Sequence, residues 1–333
     1  MTRRSRSTQG PPRVGVRDVA RLAGVSTQTV SRVINNSPQL RAETRERVLE
    51  AIAALDYRPN NAARALGTST TRTLGVIATD ATLYGPALAI SALATATRET
   101  DRWIAAAYAD AADDASVEAA VTHLLGQGVD GLVLVAPHAR TRDTLQRRNP
   151  RLPVVIMHAG PPDRQAEAAA AVTAHLVELG HRRLARVGGP SDWLEEASRA
   201  EGFASVLAEH GLTAVPGWTG DWSASSGAAL APAVARAVGM PTGPSAVVVA
   251  NDQMALGLVS GLRELGVDVP GAVSITGFDD NPDTAFYAPA LTTVRLDVLG
   301  EARRCVAEVF GAEDATVPDP PQVVARASTA RPA

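Results

Sequence analysis

Seven polar side chains between positions 26 and 35 could hydrogen-bond to a nucleic acid. They carry hydroxyl, amide and guanidinium groups and occupy the face of a short predicted helix opposite Val30, Val33 and Ile34. Hydroxyl groups near a helix N-terminus suit phosphate oxygens, whereas Gln reads adenine edges and Arg reads guanine edges in the major groove. We predict that the residues of this face that contact DNA are Ser26, Thr27, Gln28, Thr29, Ser31, Arg32 and Asn35.

Two further helices must hold this face in place. The preceding segment has apolar residues at i, i+3, i+4 and i+7 from Val16 to Ala23, which predicts an amphipathic helix. Gly24 permits the left-handed turn that ends it, and Ser26 is a favourable N-cap for the next helix. A third helix has Val48 and Leu55 on its inner face. The pattern predicts a helix-turn-helix, and the alternative is an ordinary three-helix bundle with a polar face.

The motifs in and after these helices indicate a family. AGVSTQTVSRVIN, TRERV and LDYRPNNAARAL resemble the lac repressor family of bacterial transcription regulators. In that family, two short hinge helices pair in the DNA minor groove. The resemblance implies that Leu66 is an apolar wedge entering a base step, although an ordinary linker leucine is the alternative. The hinge residues expected to contact DNA are Asn60, Ala63, Arg64 and Leu66.

The charge distribution agrees with a nucleic-acid contact at one end of the chain. Residues 1–72 hold thirteen Arg and five acidic residues, a balance of +8, whereas the remainder holds nineteen Arg and thirty acidic residues, a balance of −11. The net charge of −3 for the whole chain is therefore the sum of a basic N-terminal region and an acidic remainder. The first thirteen residues lack an apolar run, so we expect a disordered basic arm rather than a signal peptide.

Composition also excludes several classes of protein. No segment approaches the roughly eighteen apolar residues that span a bilayer, and the single cysteine, Cys305, cannot form an internal disulfide. We expect a cytoplasmic, nucleoid-associated protein without a membrane partner. None of the 32 basic residues is Lys, which excludes a Walker A lysine and a Schiff-base lysine, and GxSxG, HExxH and CxxC are absent. We therefore expect no enzyme activity, no cofactor and no metal site.

From about residue 73 the sequence alternates short apolar runs with Ala-rich segments of helical length. Runs such as TLGVIAT, GLVLVAP and SAVVVAN are continuous rather than alternating, which predicts parallel sheets covered on both faces. About 260 residues with this alternation of strand-like and helix-like segments predict an α/β fold with two doubly wound lobes. In the family, this part is similar to periplasmic sugar-binding proteins, whose two lobes are joined by three crossovers and hold the ligand between strand ends. We place the crossovers near residues 159–168, near Leu291 and near residues 318–322.

The expected domain organisation has four regions. They are a disordered basic arm (1–13), a helix-turn-helix domain (14–58), a hinge helix and linker (59–72), and an effector-binding and dimerisation domain (73–333). Within the last region, lobe 1 would comprise about 73–163 and 292–320, and lobe 2 about 164–291 and 321–333.

Four side chains of the second lobe match positions that the family uses at the effector. Arg199 would donate to hydroxyls or a carboxylate, and Asp279 follows a predicted strand as an acceptor. In the pair Asn251-Asp252, Asn251 is expected to bind the ligand and Asp252 to cap the following helix. Trp222, after a Gly-Asp turn, is expected to be exposed and to stack on a sugar. Helix caps, interlobe salt bridges and a packed surface Trp are the alternatives.

The first lobe departs from the family pattern. Relatives often carry Asp at the position of His158, and the segment from His158 to His181 is about seven residues shorter than in them, so that a strand and a polar ligand residue are missing. His158 and Asp80 could compensate, with Leu83 and Tyr84 as the pocket wall. The complete set of expected effector-binding residues is Asp80, Leu83, Tyr84, His158, Arg199, Trp222, Asn251 and Asp279.

These patterns favour a homodimeric repressor that binds double-stranded operator DNA and that a small carbohydrate releases. The alternatives are a corepressor-dependent repressor, a solute-binding protein of a sugar transporter, which the DNA-binding segment disfavours, and a sugar-processing enzyme fused to DNA-binding helices. An operator palindrome requires two copies of the chain. The helical segments 86–100 and 252–266 are candidates for the dimer interface, and no leucine heptads that would build a tetramer are present after residue 311.

Overall fold

The protein consists of two compact units, residues 1–71 and 72–333. The computed structural model describes residues 14–34, 40–57, 70–79, 82–110, 113–135, 138, 141–142, 145, 151–311 and 317–332. The expected basic arm and the expected hinge helix lie outside the described residues.

The described part of the first unit contains three helices, α1 (Val16–Ala23), α2 (Thr27–Ile34) and α3 (Ala42–Ala54). The apolar stripe of α1 is buried, as its spacing predicts. Gly24 ends α1 with φ +65°, a left-handed conformation that a residue without Cβ adopts at no steric cost. Val19, Val30 and Val48, one from each helix, are fully buried together in the centre of a small core.

The first lobe of the second unit is built on a four-stranded parallel sheet. Its elements in the first pass of the chain are β1 (Thr73–Ala78), α4 (Tyr84–Glu99), β2 (Trp103–Tyr108), α5 (Asp114–Gly126), β3 (Gly131–Val135) and β4 (Val154–Ile156). The strands lie in the order β2-β1-β3-β4. Helices cover both faces of this sheet, which explains why β1 and β3 are buried throughout rather than at alternate residues.

The second lobe repeats this plan with a second four-stranded parallel sheet. Its elements are α6 (Arg164–Glu178), β5 (Leu184–Gly188), α7 (Leu194–Glu209), β6 (Trp218–Thr219), α8 (Ala224–Val238), β7 (Ala246–Val249), α9 (Asp252–Glu264), β8 (Ser274–Thr276) and a 3₁₀ helix (Pro282–Phe286). The strands lie in the order β6-β5-β7-β8. One face of the sheet carries α8 and α9 and the other carries α6 and α7, so each face has its own buried core.

The chain crosses back to the first lobe later than the expected position near Leu291. Strand β9 (Thr293–Arg295) pairs antiparallel with β10 (Gln322–Val324), and Thr292 forms a bridge to Thr276 at the end of β8. Residues 292–295 therefore lie with the second lobe rather than the first. Helix α10 (Val298–Phe310) then packs against α4 in the first lobe. The side-chain hydroxyl of Thr293 donates to buried Asp252, which ties this strand to the start of α9.

No helix in the described ranges has both the length and the apolar content that crossing a membrane requires. The link from β4 to α6 is a turn of seven residues without a strand, in keeping with the short segment noted in the sequence.

Candidate functional site

Helix α2 of the first unit presents the polar face that the sequence predicts. The hydroxyl of Ser26 accepts a hydrogen bond from the backbone N–H of Thr29 at 3.1 Å, which fixes the start of the helix. Ser26, Thr27, Gln28 and Arg32 are exposed, whereas Val30 is fully buried. The face is thus held rigidly by the core beneath it. The other residues expected on this face are Thr29, which is half-buried, and Ser31, which is exposed; Asn35 lies outside the described residues.

The second unit contains a cleft of about 670 Å³, a volume that includes the solvent-filled space at its open mouth. Its walls come from the segments that follow the strands of both sheets. This is the edge at which open parallel sheets bind ligands. The lining residues are Leu83, Tyr84, Gly85, Pro86, Leu88, Ala89, Val135, His158, Gln165, Trp193, Glu195, Arg199, Trp222, Asn251, Asp279, Leu296 and Val298.

The structure brings together all the described residues that the sequence predicts for the effector. Seven of the lining residues belong to that set, and they come from both lobes. These seven are Leu83, Tyr84, His158, Arg199, Trp222, Asn251 and Asp279. The eighth, Asp80, lies outside the described residues.

Arg199 is held by the protein on several sides. Its Nε donates to the side-chain oxygen of Gln165 at 2.7 Å, and its Nη1 donates to the carbonyl oxygen of Ala250. Its Nη2 lies 3.6 Å from the carboxylate of Asp279. The guanidinium also lies over the ring of Phe278, 3.8 Å from its centroid. Arg199 therefore ties α6, β7 and the segment after β8 together, in addition to facing the cleft.

Asn251, rather than the expected Asp252, caps the helix that follows this pair. Asn251 is the N-cap of α9: its Oδ1 accepts from the backbone N–H of Met254 at 2.9 Å, and its Nδ2 donates to the carbonyl of Trp222. Asp252 does not cap the helix, because its two oxygens accept from the hydroxyl of Thr293 and the backbone N–H of Asn281. Asn251 still lines the cleft, but both of its polar atoms already have protein partners.

Trp222 is not exposed, contrary to expectation. Only 4% of its surface is accessible, and it packs in the core of the second lobe, where its ring fills the space that a Cβ on Gly189 would need. Its φ is +75°. Trp193 lies against it with ring centroids 5.5 Å apart and the rings tilted by 59°. The Nε1 of Trp222 has no hydrogen-bond partner among the described residues.

The titratable groups of the cleft are perturbed mainly by burial. Burial lowers the pKa of His158 to about 4, so its imidazole is neutral at pH 7. Burial raises the pKa of Asp279, and the neighbouring Arg199 acts in the opposite direction. Burial also raises the pKa of Glu195 to about 7, although its own backbone amide and Arg199 lower it. Two carboxyl groups of the cleft therefore have pKa values raised towards neutrality, that of Asp279 to about 6 and that of Glu195 to about 7.

Comparison with known proteins shows what the two units are similar to. The model of bacterial regulatory proteins, lacI family, matches residues 16–60, and that of a periplasmic binding protein-like domain matches residues 173–329. The lactose operon repressor of Escherichia coli (strain K12) is 32% identical over 294 residues, which are 85% of this chain and 81% of the relative. The chain belongs to the lacI family. It is accordingly a DNA-binding transcriptional regulator with an effector-binding domain.

Other members of the lacI family agree in sequence and structure. The HTH-type transcriptional repressor PurR of Aliivibrio salmonicida (strain LFI1238) is 32% identical over 291 residues, which are 84% of this chain and 86% of that one. A lac repressor dimer bound to operator and an anti-inducer superimposes with a TM-score of 0.77 and 28% identity, over 96% of this chain and 100% of that one. A complex of the transcriptional regulator CelR with cellobiose superimposes with a TM-score of 0.67 and 27% identity, over 95% of this chain and 100% of that one.

Sequence reasoning missed three polar or aromatic residues of this family member's cleft. Glu195 and Arg199 are spaced i, i+4, which places both on one face of α7, and this spacing could have identified Glu195. Gln165 lies in the first turn of α6 and carried no comparable signal. Trp193 directly precedes α7, and its position in the cleft depends on its packing against Trp222.

Two contacts connect the lobes beside the cleft. The backbone N–H of Tyr84, at the start of α4, donates to the side-chain oxygen of Gln253 at 3.0 Å. On another side, the ring of His138 lies 5.2 Å from that of Trp193, and its Nδ1 is 2.8 Å from the carboxylate of Asp192. A ligand that changes the spacing of the lobes would alter these contacts.

Proposed function

We propose that this family member is a homodimeric repressor, and that a small carbohydrate releases it from a pseudo-palindromic operator. The observation that carries the proposal is the cleft, in which aromatic side chains and hydrogen-bonding groups from both lobes converge. Sugars need both, since their rings stack on aromatic faces and their hydroxyls exchange hydrogen bonds. The structures of two relatives support this proposal, because one contains operator DNA and the other contains cellobiose.

The effector acts through the arrangement of the lobes. A ligand shifts affinity for DNA only to the extent that it binds the two arrangements differently. A ligand that contacts Tyr84 and Trp193 touches the residues that connect the lobes beside the cleft. The expected hinge helix, with its wedge Leu66, would transmit the change to DNA. The cleft binds its ligand without transforming it, and the protein acts in the cytoplasm, where its operator is.

The DNA-binding face is tested by substituting one exposed arginine. Arg32→Ala should relax the preference for one base pair in each half-site, because a bidentate contact to guanine is lost. Arg47→Ala, on the exposed side of α3, removes the same charge and serves as the control, and it should weaken binding to all sequences equally if it weakens binding at all. The measurement is selection of bound sites from a random oligonucleotide pool. An asymmetric selected site would contradict the two-fold arrangement.

The effector is tested with a panel of mono- and disaccharides, beginning with β-galactosides and β-glucosides. At least one should raise the melting temperature of the full chain and release a fluorescent operator. Tyr84→Ala, which removes a wall of the cleft, should weaken this ligand, whereas Tyr108→Ala, at an exposed position of β2, should not. Stabilisation by purines alone would refute the sugar assignment. Tighter operator binding with ligand would make the protein a corepressor-dependent repressor.

The dimer is tested by light scattering after size exclusion. The chain has a mass of 34.5 kDa, and a dimer should give about twice that value. Helices α4 and α9 are the proposed contact surfaces, and Leu256 of α9 is 38% exposed in the single chain. A monomer that binds operator tightly, or a stable tetramer, would contradict the proposal.

A further inference from the structure

One carboxyl group of the cleft lacks the partner that a buried charge requires. Glu195 is only 8% exposed, and its Oε2 has no hydrogen-bond partner among the described residues. Buried carboxylates in proteins are normally paired, since an unpaired charge loses its hydration without compensation. Glu196, the next residue, shows the ordinary arrangement: it forms a bidentate pair with Arg186 at 2.6 and 2.7 Å. Glu195 therefore differs from its neighbour in having no ion-pair partner among the described residues, although its own backbone amide and the charge of Arg199 partly stabilise the carboxylate.

The guanidinium group of the cleft, that of Arg199, already has other partners. Arg199, on the same face of α7, donates to Gln165 and Ala250 and lies beside the carboxylate of Asp279. No salt bridge joins it to Glu195 within the described residues. His158, the other basic side chain of the lining, is held neutral because burial lowers its pKa to about 4. When Glu195 is ionised, the described lining thus carries one negative charge in excess.

The remaining walls have the chemistry that receives a cation. Trp193 and Trp222 form a tilted aromatic pair, and Tyr84 adds a third aromatic ring to the lining. Aromatic faces attract ammonium groups, most strongly where water is excluded. The Nε1 of Trp222, 96% buried as a residue and also without a partner, is a donor that needs an acceptor oxygen. One ligand that supplies both a cation and hydroxyl oxygens would satisfy both groups.

We propose that the effector is an amino sugar, whose ammonium group pairs with the carboxylate of Glu195 while its hydroxyl oxygens accept from groups such as the Nε1 of Trp222. This inference rests on the proposed carbohydrate effector and narrows it. It excludes phosphorylated sugars and uronic acids, because their charge would face an unpaired carboxylate. It also assigns to Glu195 the selection among carbohydrates of similar shape.

The test compares ligands that differ at one substituent. Calorimetry with the full chain at pH 7.5 measures binding of glucosamine and galactosamine, the parent sugars glucose and galactose, the N-acetylated forms, and galacturonate. One amine should bind at least about tenfold more tightly than its parent sugar, since a hydrogen bond to a charged partner exceeds a neutral one by about 1.4 kcal/mol. The N-acetyl form and galacturonate should bind more weakly than the amine.

Two variants assign the preference to Glu195. Glu195→Gln keeps the shape and removes the charge, so the amine should fall to the affinity of the parent sugar while the parent sugar changes little. Glu201→Gln, at an exposed position of the same helix, changes the net charge equally and should leave both affinities unaltered. Operator binding without sugar reports that each variant is folded.

The outcomes separate this inference from the proposed function. Equal affinity for amine and parent sugar, or an amine preference that survives Glu195→Gln, would refute the amino-sugar assignment while sugar-dependent release of operator still stood. If none of these sugars bound and none released operator, both proposals would fail.

Discussion

Replacement of Glu195 by Gln should stabilise the empty protein, and the gain should depend on pH. Burial raises the pKa of this carboxyl from 4.5 to about 7, so the folded state holds its proton more tightly than the unfolded state does. Stability of the wild type should therefore fall as the pH rises from about 4.5 to about 7, by on the order of 3 kcal/mol at about 1.4 kcal/mol per pH unit. Gln cannot ionise and avoids this loss. The two proteins should be similar at pH 5 and should differ most at pH 8.

Tryptophan fluorescence can measure the difference in stability between wild type and Glu195→Gln in the second unit, which contains Glu195. All four Trp lie beyond residue 72, so the signal reports unfolding of the second unit alone. At pH 8, Glu195→Gln should melt several degrees above the wild type, since 1 kcal/mol corresponds to about 2–4 °C for a unit of this size. Glu201→Gln controls for net charge and should melt with the wild type at both pH values. Equal melting of Glu195→Gln and wild type at pH 8 would show that the buried carboxyl has a partner that the reasoning omits.

Three further changes test the packing and the site. Gly202→Ala should destabilise the second unit by about 1–3 kcal/mol in the same assay, because its Cβ would overlap a carbonyl of α6, whereas Gly126→Ala, where the space is open, should be neutral or slightly stabilising. Ser26→Ala should lower the protection of the α2 amides against hydrogen exchange by about 1 kcal/mol, since the helix loses its cap. Arg199→Ala should cost about 3–5 kcal/mol at pH 8 and less at pH 5, where Asp279 is protonated, and a loss independent of pH would contradict that coupling.

The helix-turn-helix was predictable because its determinants are local. The apolar stripe of α1, the left-handed Gly24 and the Ser26 cap act within a few residues, so their consequences follow from sequence spacing alone. The position of most effector residues was predictable for a similar reason. A polar side chain directly after an apolar strand lies at the edge where parallel sheets bind ligands, as Asn251 and Asp279 do.

The missed features depend on contacts between distant segments. Whether Asn251 or Asp252 caps α9 is decided by Thr293, forty-one residues after Asp252, whose hydroxyl engages the Asp. Trp222 is buried because the absence of a side chain at Gly189 leaves room for its ring. Neither contact can be recognised from the spacing of residues near each other in the sequence. The prediction that residues 292–295 belong to the first lobe is wrong for the same reason, because the pairing of β9 with β10 is a long-range event.

Glu195, which was also not predicted from the sequence, bears directly on how the protein responds to its effector. An acidic residue in the first turn of a helix is ordinary, since it interacts favourably with the helix dipole, and only its i, i+4 spacing from Arg199 could have singled it out. Only the packing around the cleft shows that this carboxyl group is buried and lacks an ion-pair partner among the described residues. Ionisation of this group destabilises the empty cleft as the pH rises to about 7, and a ligand that neutralises it gains binding free energy in an arrangement of the lobes that keeps the group buried against the ligand. Such a difference between arrangements is what an effector needs in order to shift the lobes, so the residue that weakens the empty protein is suited to make it responsive.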